Sequence, residues 1–248
     1  LGSVRLVPGM TLKKLIDSLQ QKSPLIQRVQ IPEGWPSWRI FDRLSQELQI
    51  PRQKFKELFD NPEFLRHNNI PGSTLEGFMF PDTYYFSMDA SAKKVLALMV
   101  RRFHEIANQI NLQSNAETDS LSIQEAVTLA SIIQREGFYI EEMPLISAVY
   151  HNRLDRGMLL QADPTLLYPL KDFDHPIFQS TLQEDTPFNT YTRRGLPPTP
   201  ICNPGRQSLE ASVNPADVSY LYFVSRGNGR HVFSETLEEH QQAVRKFQ

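Results

Sequence analysis

The run SIQEAVTLASIIQREG, Ser122 to Gly137, decides how the rest of the chain is read. Ser122 and Glu125 have capping-box spacing, in which a hydroxyl and a carboxylate satisfy free backbone N–H groups at a helix start. Ile123, Ala126, Val127, Leu129, Ala130, Ile132 and Ile133 then form a wide apolar arc, the pattern of a buried helix. At about 100° per residue, Glu136 falls roughly 20° from Leu129 and about 60° from Ile133, inside that arc. A carboxylate is seldom buried without a partner, and the helix C-terminus disfavours negative charge. Both effects push a carboxyl pKa upward, as a general acid working near neutral pH requires. Taken alone, the helix also admits a plainer alternative, a helix-end glutamate that reaches solvent past Gly137.

The chain has 248 residues, enough for one large domain or two smaller ones around a real core. Hydrophobic residues at 40% and charged residues at 22% are ordinary for a globular protein. The 26 basic and 28 acidic residues leave a net charge of −2, so nucleic acid is not an expected partner. A single cysteine, Cys202, excludes an internal disulfide framework and a multi-cysteine zinc site. No run approaches the roughly 18 apolar residues of a membrane span. The chain opens on Leu1 rather than Met, so the lack of a targeting segment carries no information.

The first 60 or so residues hold a degenerate repeat. Pro8-Gly9-Met10-Thr11 leads into Leu12, Leu15, Ile16 and Leu19; Pro32-Glu33-Gly34-Trp35-Pro36-Ser37 leads into Trp38, Ile40, Phe41 and Leu44. Each copy reads as a short strand (Val4–Val7; Val29–Ile31), a turn and an amphipathic helix. A further helix is expected over Pro51–Phe59. Strand–helix modules of this size serve as binding modules or as packing subdomains. Trp35 and Trp38 suit packing better than stacking on sugar rings. Leu75–Phe86 is too aromatic for a linker, and Pro81-Asp82 breaks any long strand. Glu76 in that segment is a possible second carboxylate, with a surface or capping role as the simpler reading. A helix follows over Ala90–Ile110, and Asn111–Ser120 reads as a flexible loop.

Beyond Gly137, Pro144 opens a helix carrying Leu145, Ile146, Val149 and Leu154, with Gly157 suited to follow its C-terminus. Asp163-Pro164 has the form of an N-cap and first helical residue, with a short helix through Tyr168. Pro187–Pro204 is a long loop, stiffened by Pro197, Pro198, Pro200 and Pro204 as the wall of a cleft would be. A helix (Ser208–Val213), a hairpin (Tyr220–Val224 and His231–Phe233 around Gly227-Asn228-Gly229) and a final helix (Leu237–Phe247) complete an α+β chain.

Several chemistries are excluded by what the chain lacks. It has no glycine-rich phosphate loop, HExxH pair or GxSxG elbow. His151, His175 and His231 read as scattered polar residues. Pyridoxal phosphate needs a lysine, and Val95 to Arg245 offers only Lys171. An acid in an apolar setting beside a hydroxyl- and amide-rich loop suits carbohydrate cleavage, in which a raised-pKa carboxyl protonates the glycosidic oxygen. Gln161, Asn189, Thr190, Tyr191 and Asn203 are of the right types to bind hydroxyls and acetamido groups. Asp163 and Thr165 stand with them as candidate substrate contacts.

The runs LEGFMFPDTYYF, LASIIQREG, AVYHNRLDRGMLLQADPTLLY, FNTYTRRGLPPTPICNPGRQSLEASVNP and YLYFVSRGNGRHVF resemble those of the YceG-like family of endolytic murein transglycosylases. The resemblance implies a LysM-like strand–helix module over residues 1–73 and a larger mixed α+β catalytic domain over 74–248. It implies a lyase that cleaves peptidoglycan glycan strands between N-acetylmuramic acid and N-acetylglucosamine without a cofactor or metal. Glu136 would act as both general acid and base, and the muramyl 6-hydroxyl would attack C1 to leave a 1,6-anhydro end. It further implies peptidoglycan synthases as partners. An N-terminal inner-membrane anchor lying outside this chain would place the catalytic part in the periplasm. Two positions depart from the family pattern: Gly137, where a small hydroxyl residue is frequent, and Thr199, where glycine is usual. The expected consequences are an altered setting for Glu136 and a narrower loop. A non-catalytic peptidoglycan-binding scaffold and a hydrolysing muramidase, with Asp163 or Glu76 positioning water, are the alternatives.

Overall fold

The computed structural model describes residues 9–13, 25–118 and 121–247. The strand expected at Val4–Val7 and the helix positions Leu15, Ile16 and Leu19 lie outside the described residues. The chain is α+β, with two small antiparallel sheets among helices. Strand β1 (Ile26–Gln30) leads to α1 (Ser37–Leu48), α2 (Arg52–Phe59) and α3 (Pro62–His67). The sequence pattern had not suggested α3; Asn61 caps it by accepting from the Phe64 amide at 2.9 Å, and Pro62 sits in its first turn. Strand β2 (Thr83–Ser87) follows the aromatic segment and pairs with β1, setting Ile26 opposite Ser87 and Gln30 opposite Thr83. This pairing bridges the expected division after residue 73, as does a core containing both Phe41 and Phe78.

Next come α4 (Ala92–Gln109), α5 (Leu112–Thr118) and α6 (Ile123–Glu136). The flexible loop expected at Asn111–Ser120 is instead largely α5, pinned by Leu112 and Ala116, both fully buried. Two small anchors hidden among polar residues gave that helix no visible period. The capping box of α6 is formed: Ser122 Oγ accepts from the Glu125 amide at 3.2 Å, and the Glu125 carboxylate accepts from the Ser122 amide at 2.8 Å. A short 3-10 turn (Ile140–Glu142) then enters α7 (Met143–Asp155), followed by α8 (Asp163–Leu170), α9 (Gln179–Gln183) and α10 (Arg206–Ser212). The hairpin of β3 (Tyr222–Ser225) and β4 (His231–Ser234) and the helix α11 (Leu237–Phe247) close the chain.

Helix α6 is buried nearly all round because it stands between two cores. Ala126, Val127 and Ala130 belong to one, with Phe41, Phe78, Met99 and Phe103. Leu129, Ile132 and Ile133 belong to the other, with Ile146, Tyr150, Leu160 and Ile201. Each fully buried large side chain contributes about 1.5–3 kcal/mol, so the helix is held by packing rather than by intrinsic propensity.

Of the loop expected as a cleft wall, Tyr191 lines the cleft and the proline-rich part from Pro197 onward does not. Pro200 to Gly205 is buried and crosses α6 as a strap. The Ile201 amide donates to Ser131 Oγ (3.0 Å), the Gly205 amide to Gln134 Oε1 (2.8 Å), and Asn203 exchanges backbone hydrogen bonds with Gly34 and Trp35 (2.9 and 3.0 Å). Its prolines suit a segment crossing the interior because each removes one N–H that would need a partner there.

Glu76 is fully buried, which excludes a surface role. Its carboxylate accepts from the Ser37 amide (3.0 and 3.1 Å), from Asn203 Nδ2 (2.8 Å) and from the Tyr168 hydroxyl (2.9 Å). Pro36 cannot cap α1 by side chain, so Glu76 satisfies that helix start from a distant segment. Burial still pushes its pKa up to about 7. Trp38 packs on two rings, 5.2 Å from Tyr168 and 6.1 Å from Phe173 between ring centroids.

A tight junction between distant segments is Gly77, at φ +88. A Cβ there would lie 2.6 Å from Pro200 Cγ and 2.7 Å from Val127 Cγ1. Gly77→Ala is therefore expected to cost about 3 kcal/mol or more through strain and overpacking together. A denaturant titration that finds less than about 1 kcal/mol would refute this account of the junction.

Candidate active site

Glu136 ends α6, where the Gly137 amide closes the last turn on the Ile133 carbonyl at 2.7 Å. Its carboxyl group lines a cleft of about 460 Å³ with Arg153, Leu160, Gln161, Asp163, Tyr191, Phe223, Ser225, His231 and His240. Tyr150 on α7 donates its hydroxyl to Glu136 Oε1 at 3.2 Å. That tyrosine is 1% exposed and meets Phe223 edge-on at 5.9 Å, so its hydroxyl is fixed by the second core. Asp163 opens α8, and the Tyr191 hydroxyl donates to its Oδ1 at 2.5 Å.

The electrostatics follow from this packing. Desolvation is the largest effect on Glu136, the Asp163 carboxylate adds to it, and the Tyr150 hydrogen bond and Arg135 oppose both; the pKa rises to about 7. The carboxyl turns to Tyr150 and the cleft rather than extending past Gly137. Glu136 is protonated for a large part of the time at neutral pH, the state in which a carboxyl can donate. Tyr150 and Tyr191 are both pushed upward by burial and stay neutral donors.

Of the seven candidate contacts, three reach the cleft: Gln161, Asp163 and Tyr191. Asp163 is the first helical residue rather than the cap, and its side chain makes no capping bond. The other four are buried and spend their polar atoms on the fold. Thr190 Oγ1 accepts from the Ala162 amide (3.0 Å) and lies 2.9 Å from Thr165 Oγ1, which donates to the Ala162 carbonyl (2.7 Å). Together they hold the turn that presents Gln161, itself at φ +50. Asn189 donates to the Thr181, Leu182 and Glu184 carbonyls and accepts from the Tyr191 amide at 2.8 Å. Asn203 is fully buried beside Glu76, away from the cleft. Glu76 is not part of the cleft lining either.

Sequence reasoning missed Arg153, Phe223, His231 and His240. Arg153 carried a usable signal, since it follows Ile146, Val149 and Tyr150 on the buried face of α7, the same anomaly that singled out Glu136. Its Nε donates to the Leu221 carbonyl (2.7 Å) and its Nη1 to Leu160 (2.8 Å) and Leu159 (3.2 Å), joining hairpin to helix. His231 is no scattered residue, because Glu142 holds its Nδ1 at 2.9 Å. His151 does have a structural bond, to the Ser212 carbonyl. At Gly137 a Cβ would meet Met143 Cγ at 3.1 Å, so a side chain there requires a small shift of α7's first turn. Thr199 donates to the Pro200 carbonyl at 3.2 Å. Among the described residues no group of three or more His, Cys, Asp or Glu side chains could hold a metal ion.

The raised pKa of Glu136 has a stability consequence of known sign. The folded state holds this proton more tightly than the unfolded state, so its contribution is least unfavourable below about pH 4.5 and worsens until pH passes about 7. Glu136→Gln keeps an acceptor for Tyr150 and removes the buried charge. It is expected to raise the thermal midpoint at pH 8, by roughly 2 kcal/mol of stability, and to leave it unchanged near pH 5. Equal midpoints at both pH values would contradict the desolvated setting of this carboxyl.

Comparison with known proteins places this geometry in a family. The model of the YceG-like family matches residues 1–246. An endolytic murein transglycosylase from Bacillus subtilis is 34% identical across 79% of this chain and 53% of its own length. One from Streptococcus pneumoniae is 26% identical across 98% of this chain and 50% of its own. The chain thus spans about half the length of these curated relatives. A crystal structure of a YceG-like protein from Listeria monocytogenes superposes with a TM-score of 0.80 at 30% identity, covering 95% of this chain and 82% of the other. The chain belongs to the YceG-like family.

Proposed function

We propose that this chain carries the catalytic part of an endolytic murein transglycosylase, a lyase acting on peptidoglycan glycan strands. The observation that carries the reading is the Glu136 carboxyl, desolvated in an open cleft, with its pKa near 7. Its relatives are named for this activity. Glu136 is the general acid that protonates the glycosidic oxygen between N-acetylmuramic acid and N-acetylglucosamine. The muramyl 6-hydroxyl attacks C1 and the product ends in a 1,6-anhydro ring, with no water consumed. Gln161, Asp163 and Tyr191 are the residues from the earlier candidates that contact the strand. Thr165, Asn189 and Thr190 position them.

Asp163 gives a second reading some support, because a carboxylate close enough to raise the Glu136 pKa could instead position water for hydrolysis. A LysM-like role for residues 1–73 in holding glycan, peptidoglycan synthases as partners, and anchorage in the inner membrane with the catalytic part in the periplasm belong to the same proposal. Among the described residues no helix is long and apolar enough to cross a membrane.

Digestion of purified sacculi, with mass spectrometry of the released fragments, tests the reading. Wild-type protein is expected to yield 1,6-anhydro ends, and Glu136→Gln to lower the yield by about 100-fold or more. Reducing ends from the wild type would favour the muramidase, and glycan binding without cleavage the scaffold. Because the acid must be protonated, kcat/KM on soluble strands is expected to fall as pH rises through about 7. An unchanged rate up to pH 9 would remove Glu136 from the acid role.

A further inference from the structure

Displacement at C1 needs two proton transfers, one to the leaving oxygen and one from the attacking hydroxyl. A carboxyl that gives its proton to the leaving oxygen can take the second only afterwards, so protons that move together need a second group. The cleft contains a second group built for proton uptake. Glu142, the last residue of the 3-10 turn, is 7% exposed and accepts from both the backbone amide (3.1 Å) and the Nδ1 (2.9 Å) of His231. A carboxylate can only accept, so in the neutral ring Nδ1 carries the proton and Nε2 the lone pair. Phe223 packs edge-on against this imidazole at 5.2 Å, and Phe233 lies at 6.2 Å, so the ring is clamped. Nε2 has no partner among the described residues, and His231 lines the same cleft as Glu136.

The other groups in the cleft are less suited. His240 stacks on Tyr222 at 5.1 Å, with a buried Nδ1 that no carboxylate orients. Asp163 is engaged by the Tyr191 hydroxyl. Arg153 is a permanent cation tied to backbone carbonyls.

We propose that His231, oriented by Glu142, is the base that takes the proton of the attacking hydroxyl while Glu136 serves as the acid. This rests on reading the cleft as a site of glycosidic cleavage. As the bond from the attacking oxygen to C1 forms and the bond from C1 to the leaving oxygen breaks, the Glu136 proton passes to the leaving oxygen. The hydroxyl proton passes to His231 Nε2. The enzyme is left with a carboxylate and an imidazolium, and proton transfer between them through solvent restores both. The division differs from the expectation that Glu136 performs both roles. Glu142 is a positioning residue.

The test measures release of anhydro-ended fragments by His231→Ala, His231→Asn and Glu142→Gln, with thermal midpoints recorded for each. Asn keeps an N–H for Glu142 but has no Nε2, so it separates chemistry from folding. Both His231 variants are expected to lose about 100-fold in rate. Added imidazole is expected to restore His231→Ala at least tenfold and to leave Glu136→Gln unaffected. Glu142→Gln is expected to lower kcat about tenfold with KM for a soluble strand unchanged. An active wild type with equally active His231 variants, or a loss in His231→Ala that imidazole does not restore, overturns this proposal alone. A wild type that releases no anhydro ends overturns the transglycosylase reading and this proposal with it.

Discussion

The structure depends on one helix serving two cores. Helix α6 sends Val127 into one and Ile132 and Ile133 into the other, and α10 does the same with Leu209 and Ala211. Between Ala126 and Ile133 a helix shared in this way has no face left for water. A carboxylate placed on it therefore has to find a partner or take up a proton. Position on the helix decides which. Within the body of α6 the polar side chains are hydroxyls that bond locally, as Thr128 does to the Gln124 carbonyl and Ser131 to that of Thr128. Beyond the capping Glu125, an acid becomes tolerable only at the last turn, where the second core opens, and there it gains a single hydroxyl donor.

Three glutamates illustrate how donor count sets the use of a buried carboxyl. Glu76 has a backbone amide, a side-chain amide and a hydroxyl directed at it, and it fastens three distant segments. Glu142 has a backbone amide and an imidazole, and it fixes a ring. Glu136 has one hydroxyl, leaving the rest of its carboxyl free for a ligand. The difference lies in the neighbours rather than in the residue. Fully satisfied groups become structure, and a partly satisfied group at the edge of a cleft retains chemical capacity.

Much of this was legible in the sequence where a local rule operated. The capping box at Ser122, the helix opened beside Pro144, the turn at Gly157 (φ +60) and the hairpin around Gly227-Asn228-Gly229 all follow from short-range geometry. Glu136 was legible as an apolar-face anomaly. What failed was long-range. Asn203 and Glu76 are 127 positions apart, and nothing local shows that their side chains meet. Side-chain type suggested that Asn189, Thr190, Thr165 and Asn203 bind hydroxyls, but amides and hydroxyls satisfy backbone equally well. The strap was misplaced for a related reason. Prolines mark stiffness, and stiffness alone does not distinguish a surface wall from a segment threaded beneath a helix. His231 lacked any local mark, since its importance depends on Glu142, 89 residues earlier.

The wall formed by β3, β4 and α11 has a consequence for how the cleft comes into being. Glu136 is on the ribosome's product long before Phe223, His231 and His240 are made. Until they pair and pack, Tyr150 lacks its edge-on neighbour and Arg153 lacks the Leu221 carbonyl. Water would then reach Glu136, and its carboxyl would ionise like any exposed one. A partly synthesised or C-terminally clipped chain would thus hold every residue of the acid's own helix and still lack the acid. Competence arrives only with residues 221–247, so the chemistry is kept off by topology until that segment has folded.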